Sequence, residues 1–303
     1  MSNLKNPFAP FYDALARAFE ANLLAALLED VGTGDLTGEL VPNDRVQARV
    51  IVREEAVLCG APWFEGIMKS VDRNLDIDWA YAEGARMAAD SAVCTITGPA
   101  RALLTAERCA LNFLQLLSGV ATATRRYADI VAGTRAAVLD TRKTLPGLRL
   151  AQKYAVRVGG GKNQRLALYD GILIKENHIA AAGGVTAALN RAQALKAASG
   201  NEALTIQVEV ETLEQLAEAL AAGAVSVLLD NFSLEMMRAA VAQNGGRALL
   251  EASGGINADT LRAIAETGVD RISVGSLTKD VRATDYSLRI VEAKVDAKPL
   301  LLA

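Results

Sequence analysis

The chain has 303 residues, of which 51% are hydrophobic and 22% charged, and its formal net charge is −3. This composition fits a globular protein with one large or two modest domains and a sizeable core. The slightly acidic, well-mixed charge argues against a duplex nucleic-acid partner. The sequence lacks the apolar runs of a signal peptide or a membrane span, so we expect a cytoplasmic location.

The histidine and cysteine content limits the catalytic mechanisms and metal sites that this chain can contain. His178 is the single histidine, so every mechanism that needs a Ser-His or Cys-His pair, or several imidazole ligands, depends on this residue. The three cysteines form neither a CxxC pair nor a spaced set with histidine, which leaves a disulfide framework or a zinc site without support. We expect Cys59, Cys94 and Cys109 to be small core residues.

The first part of the chain mixes helical and strand patterns. A helical pattern from about Asp13 to Leu28 precedes two alternating, strand-like stretches at 46–53 and 75–81 and an amphipathic helical pattern at 101–117. This mixture predicts an N-terminal α+β open-sheet domain over residues 1–118. Residues 286–303 are a segment that can rejoin it.

From about residue 136, short apolar strands are each followed by an amphipathic helix. The six predicted strands lie at 137–140, 171–175, 206–210, 225–230, 248–251 and 271–275. Such a series predicts an α/β fold with a parallel sheet and right-handed crossovers. We prefer a six-unit parallel (β/α) barrel over residues 119–285 to an open sheet, because polar residues follow every strand and no Gly-x-Gly-x-x-Gly motif follows the first.

Cations are concentrated around the first two of these strands. Against one acid, Asp170, this stretch carries Arg142, Lys143, Arg149, Lys153, Arg157, Lys162, Arg165 and Lys175. Such an excess in a net-negative chain indicates an anionic partner. Arg142, Lys143 and Lys175 lie at the ends of predicted strands, which favours a binding site. Arg149, Lys153 and Arg157 lie on a predicted helix, where they either reinforce the positive field or face solvent.

Acids and glycines follow the later strands. In chain order the strand ends carry Asp140 to Lys143, Lys175 and Glu176, Glu209 and Glu211, Asp230 and Asn231, Glu251 and Ser253, and Gly275 and Ser276. Glu209 and Asp230 suit indirect Mg²⁺ binding, sugar hydroxyls or acid/base chemistry. The two glycine loops after the last strands favour a phosphate site. Lys175 has an alternative role as a Schiff-base nucleophile, if desolvation lowers its pKa.

An ordered set of motifs runs through nearly the whole chain. It comprises Glu29-Asp-Val-Gly-Thr-Gly-Asp-Leu-Thr, Ala106-Glu-Arg-Cys-Ala-Leu-Asn, Thr141-Arg-Lys-Thr-Leu-Pro-Gly-Leu-Arg, Lys153-Tyr-Ala-Val, Gly159-Gly-Gly, Ile174-Lys-Glu-Asn-His-Ile, Val208-Glu-Val-Glu, Leu229-Asp-Asn-Phe, Ser253-Gly-Gly and Val274-Gly-Ser-Leu-Thr. This set resembles the quinolinate phosphoribosyltransferase family of type II phosphoribosyltransferases. The resemblance implies a pentosyltransferase of NAD biosynthesis that uses Mg²⁺. The implied reaction converts phosphoribosyl pyrophosphate and quinolinate to nicotinate mononucleotide, pyrophosphate and CO₂.

The resemblance also implies roles for individual residues. The implied catalytic set is Arg142, Lys143, Lys175, Glu209 and Asp230. Arg142, Arg165 and Lys175, with His178 nearby, would hold the quinolinate carboxylates, and Lys143 would face the pyrophosphate. Glu209 and Asp230 would contact ribose and metal, directly or through water. Further substrate contacts would come from Thr141, Ser253, Gly254, Gly255, Val274, Gly275 and Ser276, mainly to the 5′-phosphate. Arg108 comes from the adjacent subunit in that family, which implies a homodimer.

One position departs from the family pattern, because many members have His-Arg where this chain has Gln164-Arg165. Glutamine donates hydrogen bonds but carries no charge, so this position is not an essential cation here. Three alternatives stay open from the residues: a phosphoribosyltransferase for nicotinate or another ring acid, a Schiff-base lyase that uses Lys175, and a non-catalytic sensor of phosphoribosyl pyrophosphate.

Overall fold

The structure is a computed structural model that describes residues 12–293. These residues form two compact units, one of 12–123, 145–159 and 281–293, the other of 124–144 and 160–280. The predicted division differs at residues 119–123, 145–159 and 281–285, which were expected in the barrel domain and cluster with the first unit. Residues 294–303 of the predicted C-terminal segment lie outside the described range. No described helix is long and apolar enough to cross a membrane.

The first unit is built on an antiparallel sheet. Its strands are β1 (Arg45–Val52), β3 (Asp76–Trp79), β5 (Ala92–Pro99) and β12 (Tyr286–Ala293), and a separate ribbon pairs β2 (Ala56–Val57) with β4 (Arg86–Met87). The sheet order is β12-β1-β5-β3. The helices are α1 (Tyr12–Asp30), α2 (Ala61–Val71), α3 (Ala100–Ile130) as far as residue 123, α4 (Arg149–Val158) and a short 3-10 helix (Gly38–Leu40).

Alternating burial explains the sheet of this unit. Every second residue of β1, from Val46 to Val52, is buried, as a strand with one face on the core requires. α4 joins the same core, because the ring of its Tyr154 lies 5.3 Å from that of Trp63 in α2. Cys59, Cys94 and Cys109 are all buried, which confirms their predicted place in the core.

The second unit contains the six predicted βα units. Its strands are β6 (Ala137–Leu139), β7 (Gly171–Ile174), β8 (Thr205–Val210), β9 (Ser226–Asp230), β10 (Leu249–Ser253) and β11 (Arg271–Ser273). Its helices are α5 (Glu176–Ala182), α6 (Val185–Ser199), α7 (Leu213–Ala221), α8 (Leu234–Asn244), α9 (Ala258–Ala265) and α10 (Ser276–Lys279). The strands are parallel in the order β6-β11-β10-β9-β8-β7, which is the cyclic order of a six-unit α/β barrel.

The barrel has a gap. Within the described residues no ladder joins β6 to β7; instead Lys162 forms a parallel bridge with Leu139 of β6. Opposite this gap, side-chain caps end the loops after three successive strands. Thr212, Ser233 and Asn257 each accept backbone N–H bonds at the starts of α7, α8 and α9. These caps fix short loops after β8, β9 and β10, where the predicted site residues lie.

Candidate active site

The carboxyl ends of the parallel strands bring the predicted acids and one predicted lysine together. Lys175 follows β7, Glu209 is near the end of β8, and Asp230 ends β9. The Nζ atom of Lys175 lies 3.1 Å from Oε2 of Glu209 and 3.4 Å from Oε1. The Lys175 side chain is 46% exposed and that of Glu209 is 10% exposed. The pair therefore places an ammonium and a carboxylate together at the edge of the barrel mouth.

Neighbouring charges and burial shift the pKa of the Glu209 carboxyl group. Burial raises its pKa, the hydrogen bond and positive charge of Lys175 lower it, and the charges of Asp230 and Glu176 raise it again. Opposing effects of this kind occur where several ionisable groups converge on one ligand site. The charges of Lys175 and Asp230 thus both act on Glu209.

The donor set is compatible with magnesium that is carried by a substrate. The described residues contain no group of three or more metal-ligating side chains. Mg²⁺ often binds proteins through one or two carboxylates, with phosphate oxygens and water completing its octahedron. Glu209 and Asp230 supply two oxygen-bearing groups of that kind, so they fit an ion that arrives with a phosphorylated substrate.

Two guanidinium groups converge at another part of the mouth. Arg165 donates from Nη1 to the backbone oxygen of Gly171 at 2.9 Å. Burial lowers the pKa of Arg165, the neighbouring charge of Arg142 lowers it further, and Asp170 partly compensates. The Nε atom of Arg142 is buried without a hydrogen-bond partner in the part of the chain that the structure describes. Such a like-charge pair with unused donors is suited to binding an anion.

The loop after β11 packs closely against the loop after β6. The hydroxyl of Thr141 accepts the Lys143 N–H at 3.0 Å, and Lys143 O accepts the Thr278 hydroxyl at 2.8 Å. A Cβ atom at Gly275 would lie 3.2 Å from the Lys143 side chain and 3.6 Å from Thr141 Oγ1. Glycine therefore permits this approach, which brings Gly275 beside Thr141 and Lys143.

The loop after β10 packs closely against the loop after β9 and is hydrogen-bonded to it. Gly254 has φ +109°, and a Cβ atom there would overlap with Asn231 Oδ1 and lie 3.0 Å from the Asn231 backbone nitrogen. Asn231 itself has φ 56° and donates its N–H to Ser253 O at 2.9 Å. Gly255 also has a left-handed φ of +57°. These glycines let the backbone between Ser253 and α9 turn tightly at the mouth.

His178 supports the loop that carries Lys175. It lies in the first turn of α5, where its Nδ1 atom accepts the Lys175 backbone N–H at 3.0 Å. This contact completes a capping box at the helix start. Because Nδ1 is an acceptor here, the imidazole proton resides on Nε2, which is the atom left to contact a ligand.

Some members of the basic block lie elsewhere. Arg149, Lys153 and Arg157 are on α4, in the first unit. Arg157 is exposed, but Lys153 has no exposed surface, so the interpretation that it faces solvent was wrong. The predicted Arg108 is exposed on the part of α3 that belongs to the first unit. Val274, in contrast, is buried and donates its N–H to Leu139 O, so only its backbone carbonyl is left for a ligand contact.

Two predicted mouth acids are instead buried in the barrel, and sequence reasoning missed one of their partners. Asp140 and Glu251 have no exposed surface. Glu251 accepts hydrogen bonds from Gln164 Nε2 at 2.7 Å and from Gln207 Nε2 at 3.0 Å. Gln207 was not predicted, although its spacing of two residues from Glu209 places both side chains on one face of β8. A polar layer therefore lies in the barrel interior.

Comparisons with known proteins agree with this architecture. A family model described as "Quinolinate phosphoribosyl transferase, C-terminal domain" matches residues 120–289, and the corresponding N-terminal domain model matches residues 35–118. Among curated proteins, the chain is 40% identical to the probable carboxylating nicotinate-nucleotide pyrophosphorylase of Bacillus subtilis, over 87% of this chain and 90% of that protein. It is 43% identical to the carboxylating nicotinate-nucleotide pyrophosphorylase of Mycobacterium leprae, over 87% of this chain and 94% of that one.

A solved structure supports the same relationship. The nicotinate-nucleotide pyrophosphorylase from Francisella tularensis superposes with a TM-score of 0.87 and 43% identity, covering 90% of this chain and 96% of that one. Both domain models, the curated relatives and this structure agree over most of the sequence. The chain belongs to the quinolinate phosphoribosyltransferase family.

Proposed function

We propose that this chain transfers the phosphoribosyl group of phosphoribosyl pyrophosphate to quinolinate and releases pyrophosphate and CO₂, giving nicotinate mononucleotide for NAD biosynthesis. The observation that carries this proposal is the convergence of Arg142 and Arg165, with a buried Arg142 Nε that lacks a partner among the described residues. A ring that bears two carboxylates would neutralise both guanidinium groups. The cytoplasmic location remains a prediction.

The quinolinate side of the site is assigned to the cations around β6 and β7. Arg142 and Arg165 bind the carboxylates, and Lys175 adds a third positive charge beside them. His178 contributes Nε2, because Nδ1 already caps α5. Each charge-assisted hydrogen bond contributes about 1.5–3 kcal/mol. Together these contacts orient the ring nitrogen toward the ribose.

The phosphoribosyl side is assigned to the remaining strand ends. Lys143 faces the pyrophosphate, with Thr141 beside it, and Glu209 and Asp230 face the ribose. The 5′-phosphate binds backbone N–H groups and hydroxyls of the two glycine loops, from Ser253, Gly254, Gly255, Gly275 and Ser276. Val274 only precedes the second loop, because its N–H is already donated to Leu139 O. The close approach of Gly275 to Lys143 and Thr141 supports this grouping, because it brings the two phosphate-directed regions together.

Magnesium is assigned to Glu209 and Asp230 together with substrate oxygens. When bound, it would neutralise charge that develops on the leaving pyrophosphate. The Lys175 contact keeps Glu209 oriented within the mouth.

The reaction needs fixed charges more than a strong base. The lone pair of the pyridine nitrogen forms the bond to ribose C1′ as the bond from C1′ to pyrophosphate breaks. Lys143 and the other cations stabilise the charge that grows on the departing oxygen. The C–C bond to the 2-carboxylate then breaks, the pyridinium ring accepts the electron pair, and the ring carbon is protonated as CO₂ leaves. A single histidine is therefore sufficient.

We also propose a homodimer in which Arg108 enters the partner's site. The first unit exposes four leucines in α1 and the segment that follows it: Leu24, Leu28, Leu36 and Leu40. Contacts from Thr105 to Asp35 and from Cys109 to Ala26 place α1 and the following loop beside this part of α3. Exposed leucines in elements that contact α3 support a subunit interface.

The alternative lyase has little support from the geometry. A Schiff-base lysine needs an apolar, desolvated environment, whereas Lys175 is 46% exposed and paired with Glu209. Borohydride trapping of a carbonyl substrate would favour the lyase. A sensor would bind phosphoribosyl pyrophosphate and release no pyrophosphate with any ring acid.

One assay separates these functions. With Mg²⁺ and phosphoribosyl pyrophosphate, the purified protein is expected to consume quinolinate and release CO₂ and pyrophosphate in equal amounts, with little turnover of nicotinate. Arg142→Ala is expected to stay folded and to lose turnover. Equal use of nicotinate and quinolinate would contradict the carboxylating assignment.

A further inference from the structure

The gap between β6 and β7 is filled by a segment without regular secondary structure, residues 162–165. Lys162 bridges Leu139 and donates its backbone N–H to Val138 O at 2.8 Å. The segment then continues beside the end of β6. It therefore occupies the position that a β6–β7 ladder would hold in a closed barrel.

A buried acid anchors this segment to β6. Asp140 has no exposed surface. One of its oxygens accepts the Asn163 side-chain amide at 2.6 Å, and the other accepts the Gln164 backbone N–H at 2.9 Å. Because a buried carboxylate without such partners would be costly, these bonds hold the backbone of the segment at the strand end.

The side chain of Gln164 links the segment to the opposite side of the barrel. Its Nε2 donates to Gln207 Oε1 on β8 at 2.7 Å and to Glu251 Oε1 on β10 at 2.7 Å. Gln207 Nε2 completes the triangle by donating to Glu251 Oε2 at 3.0 Å. Gln207 is 7% exposed and Glu251 fully buried, so water does not replace these partners.

Both amide hydrogens of Gln164 are used inside the barrel. A primary amide has two N–H donors, and each has a protein partner here. Gln164 Oε1 accepts the backbone N–H of Arg165 at 2.9 Å. The carboxamide thus has no amide hydrogen left for a substrate carboxylate, and it contacts the backbone of the next residue.

We propose that Gln164 is a positioning residue that ties residues 162–165 to Gln207 and Glu251 and thereby holds Arg165 beside Arg142 for the substrate's carboxylates. This inference rests on the proposed function in one respect, that Arg165 binds quinolinate. Gln164 itself touches no reacting atom. Its loss lets the backbone at Arg165 shift, so the affinity for the ring acid falls while the distant phosphate loops are unaffected.

The first test is steady-state kinetics of Gln164→Leu, which keeps the volume and removes the hydrogen bonds. The KM for quinolinate is expected to rise about tenfold or more, and the KM for phosphoribosyl pyrophosphate to stay within about threefold. The matched control is Gln193→Leu on the exposed surface of α6, which should change neither constant. An unchanged quinolinate KM in Gln164→Leu would overturn the inference.

An exchange of amide and carboxylate distinguishes positioning from direct substrate contact. Gln164→Glu alone brings two carboxylates together, so its quinolinate KM should rise at least as much as that of Gln164→Leu. The double variant Gln164→Glu/Glu251→Gln restores one carboxylate and two amides, which can form the same triangle with the donors reversed. It is expected to recover most of the loss. A direct ligand role predicts the opposite, because the exchange places negative charge at position 164.

The role of Gln164 can be tested even if the proposed function is wrong. If wild-type protein does not turn over quinolinate, the proposed function fails, whereas the inference is then decided by crystal structures of wild type and Gln164→Leu. A displaced Arg165 guanidinium in the variant supports it. An unmoved Arg165 overturns it, whatever the substrate. Thermal unfolding of every variant checks that the kinetic changes come from folded protein.

Discussion

The ammonium group of Lys175 lies 3.1 Å from Oε2 of Glu209, so the ends of two neighbouring strands share an ion pair at the barrel mouth. The carboxyl group has little exposed surface, and the lysine is about half exposed. Burial therefore acts mainly on Glu209, where it raises the pKa while Lys175 opposes the rise. The pair connects the quinolinate and phosphoribosyl sides of the proposed site.

This balance predicts a pH effect on catalysis. As the pH falls through the raised pKa of Glu209, the carboxylate gains a proton and loses its charge toward Lys175 and the substrate. Activity should thus fall on the acid side, with a midpoint above the ordinary glutamate value. The measurement is kcat/KM for phosphoribosyl pyrophosphate across pH, since this ratio reports groups of the free enzyme.

Glu209→Gln tests the assignment of that midpoint. The amide cannot titrate, so the acid limb should disappear, and kcat/KM near neutral pH should be about ten- to hundredfold lower. Glu202→Gln, at an exposed position before β8, is the matched control and should keep the wild-type profile. The same acid limb in Glu209→Gln would show that another group is responsible.

Substitution of His178 should separate capping from ligand contact. His178→Ala removes the acceptor of the Lys175 N–H bond, and the quinolinate KM is expected to rise about tenfold as the Lys175 loop loosens. His178→Gln retains both an acceptor for the Lys175 N–H and an N–H donor for the substrate, and should stay within about threefold of wild type. Steady-state kinetics with quinolinate measures both. Equal losses in the two variants would argue that the imidazole contact, and not the cap, matters.

Gly254→Ala should disrupt the proposed phosphate loop. The added methyl group would meet Asn231, including its backbone nitrogen, and φ +109° is strained for alanine. The KM for phosphoribosyl pyrophosphate is expected to rise at least about tenfold, a loss of about 1.4 kcal/mol in binding. Gly245→Ala is the control, because φ is +54° there and no atom lies within 4 Å of the new Cβ. It should cost about 1 kcal/mol of stability and leave the KM unchanged.

Mixing experiments test the proposed exchange of Arg108 between subunits. Arg108→Ala and Lys175→Ala are each expected to be inactive alone. After co-refolding in equal amounts, half of the dimers are mixed, and each contains one complete site, so about a quarter of wild-type activity should return. Wild-type protein refolded with Lys175→Ala provides the reference for the yield. No recovery would mean that Arg108 acts within its own subunit or not at all.

Much of the fold was predictable because it depends on local patterns. Alternation and helical spacing predicted all six parallel strands within one or two residues of their observed bounds, and polar residues at the strand ends predicted Lys175, Glu209 and Asp230 as neighbours. The helix from Ala100 extends to Ile130, well beyond its predicted end. Its second half contains no proline, and Gly119 does not interrupt the helix.

Burial of individual polar groups was not predictable in the same way. Lys153, Asp140 and Glu251 look like surface charges in the sequence, yet none has exposed surface. Their burial depends on partners that are distant in the chain, such as Gln207 for Glu251, which is 44 residues away. The sequence likewise suggested that Gln164 is a substrate ligand that lacks the charge of the family's histidine. The structure shows instead that both of its amide hydrogens bond to residues inside the barrel.

The sequence by itself determined the order of βα units, the clustering of cations before acids, and the family motifs, because hydrophobic periodicity and residue type act locally. Only the tertiary structure decided which charged groups face the mouth and which lie beneath it. Strand order, the gap between β6 and β7 and the segment that fills it set the distances between residues far apart in sequence. Those distances, through desolvation and hydrogen bonding, determine whether a polar side chain can bind a ligand or instead supports one that does.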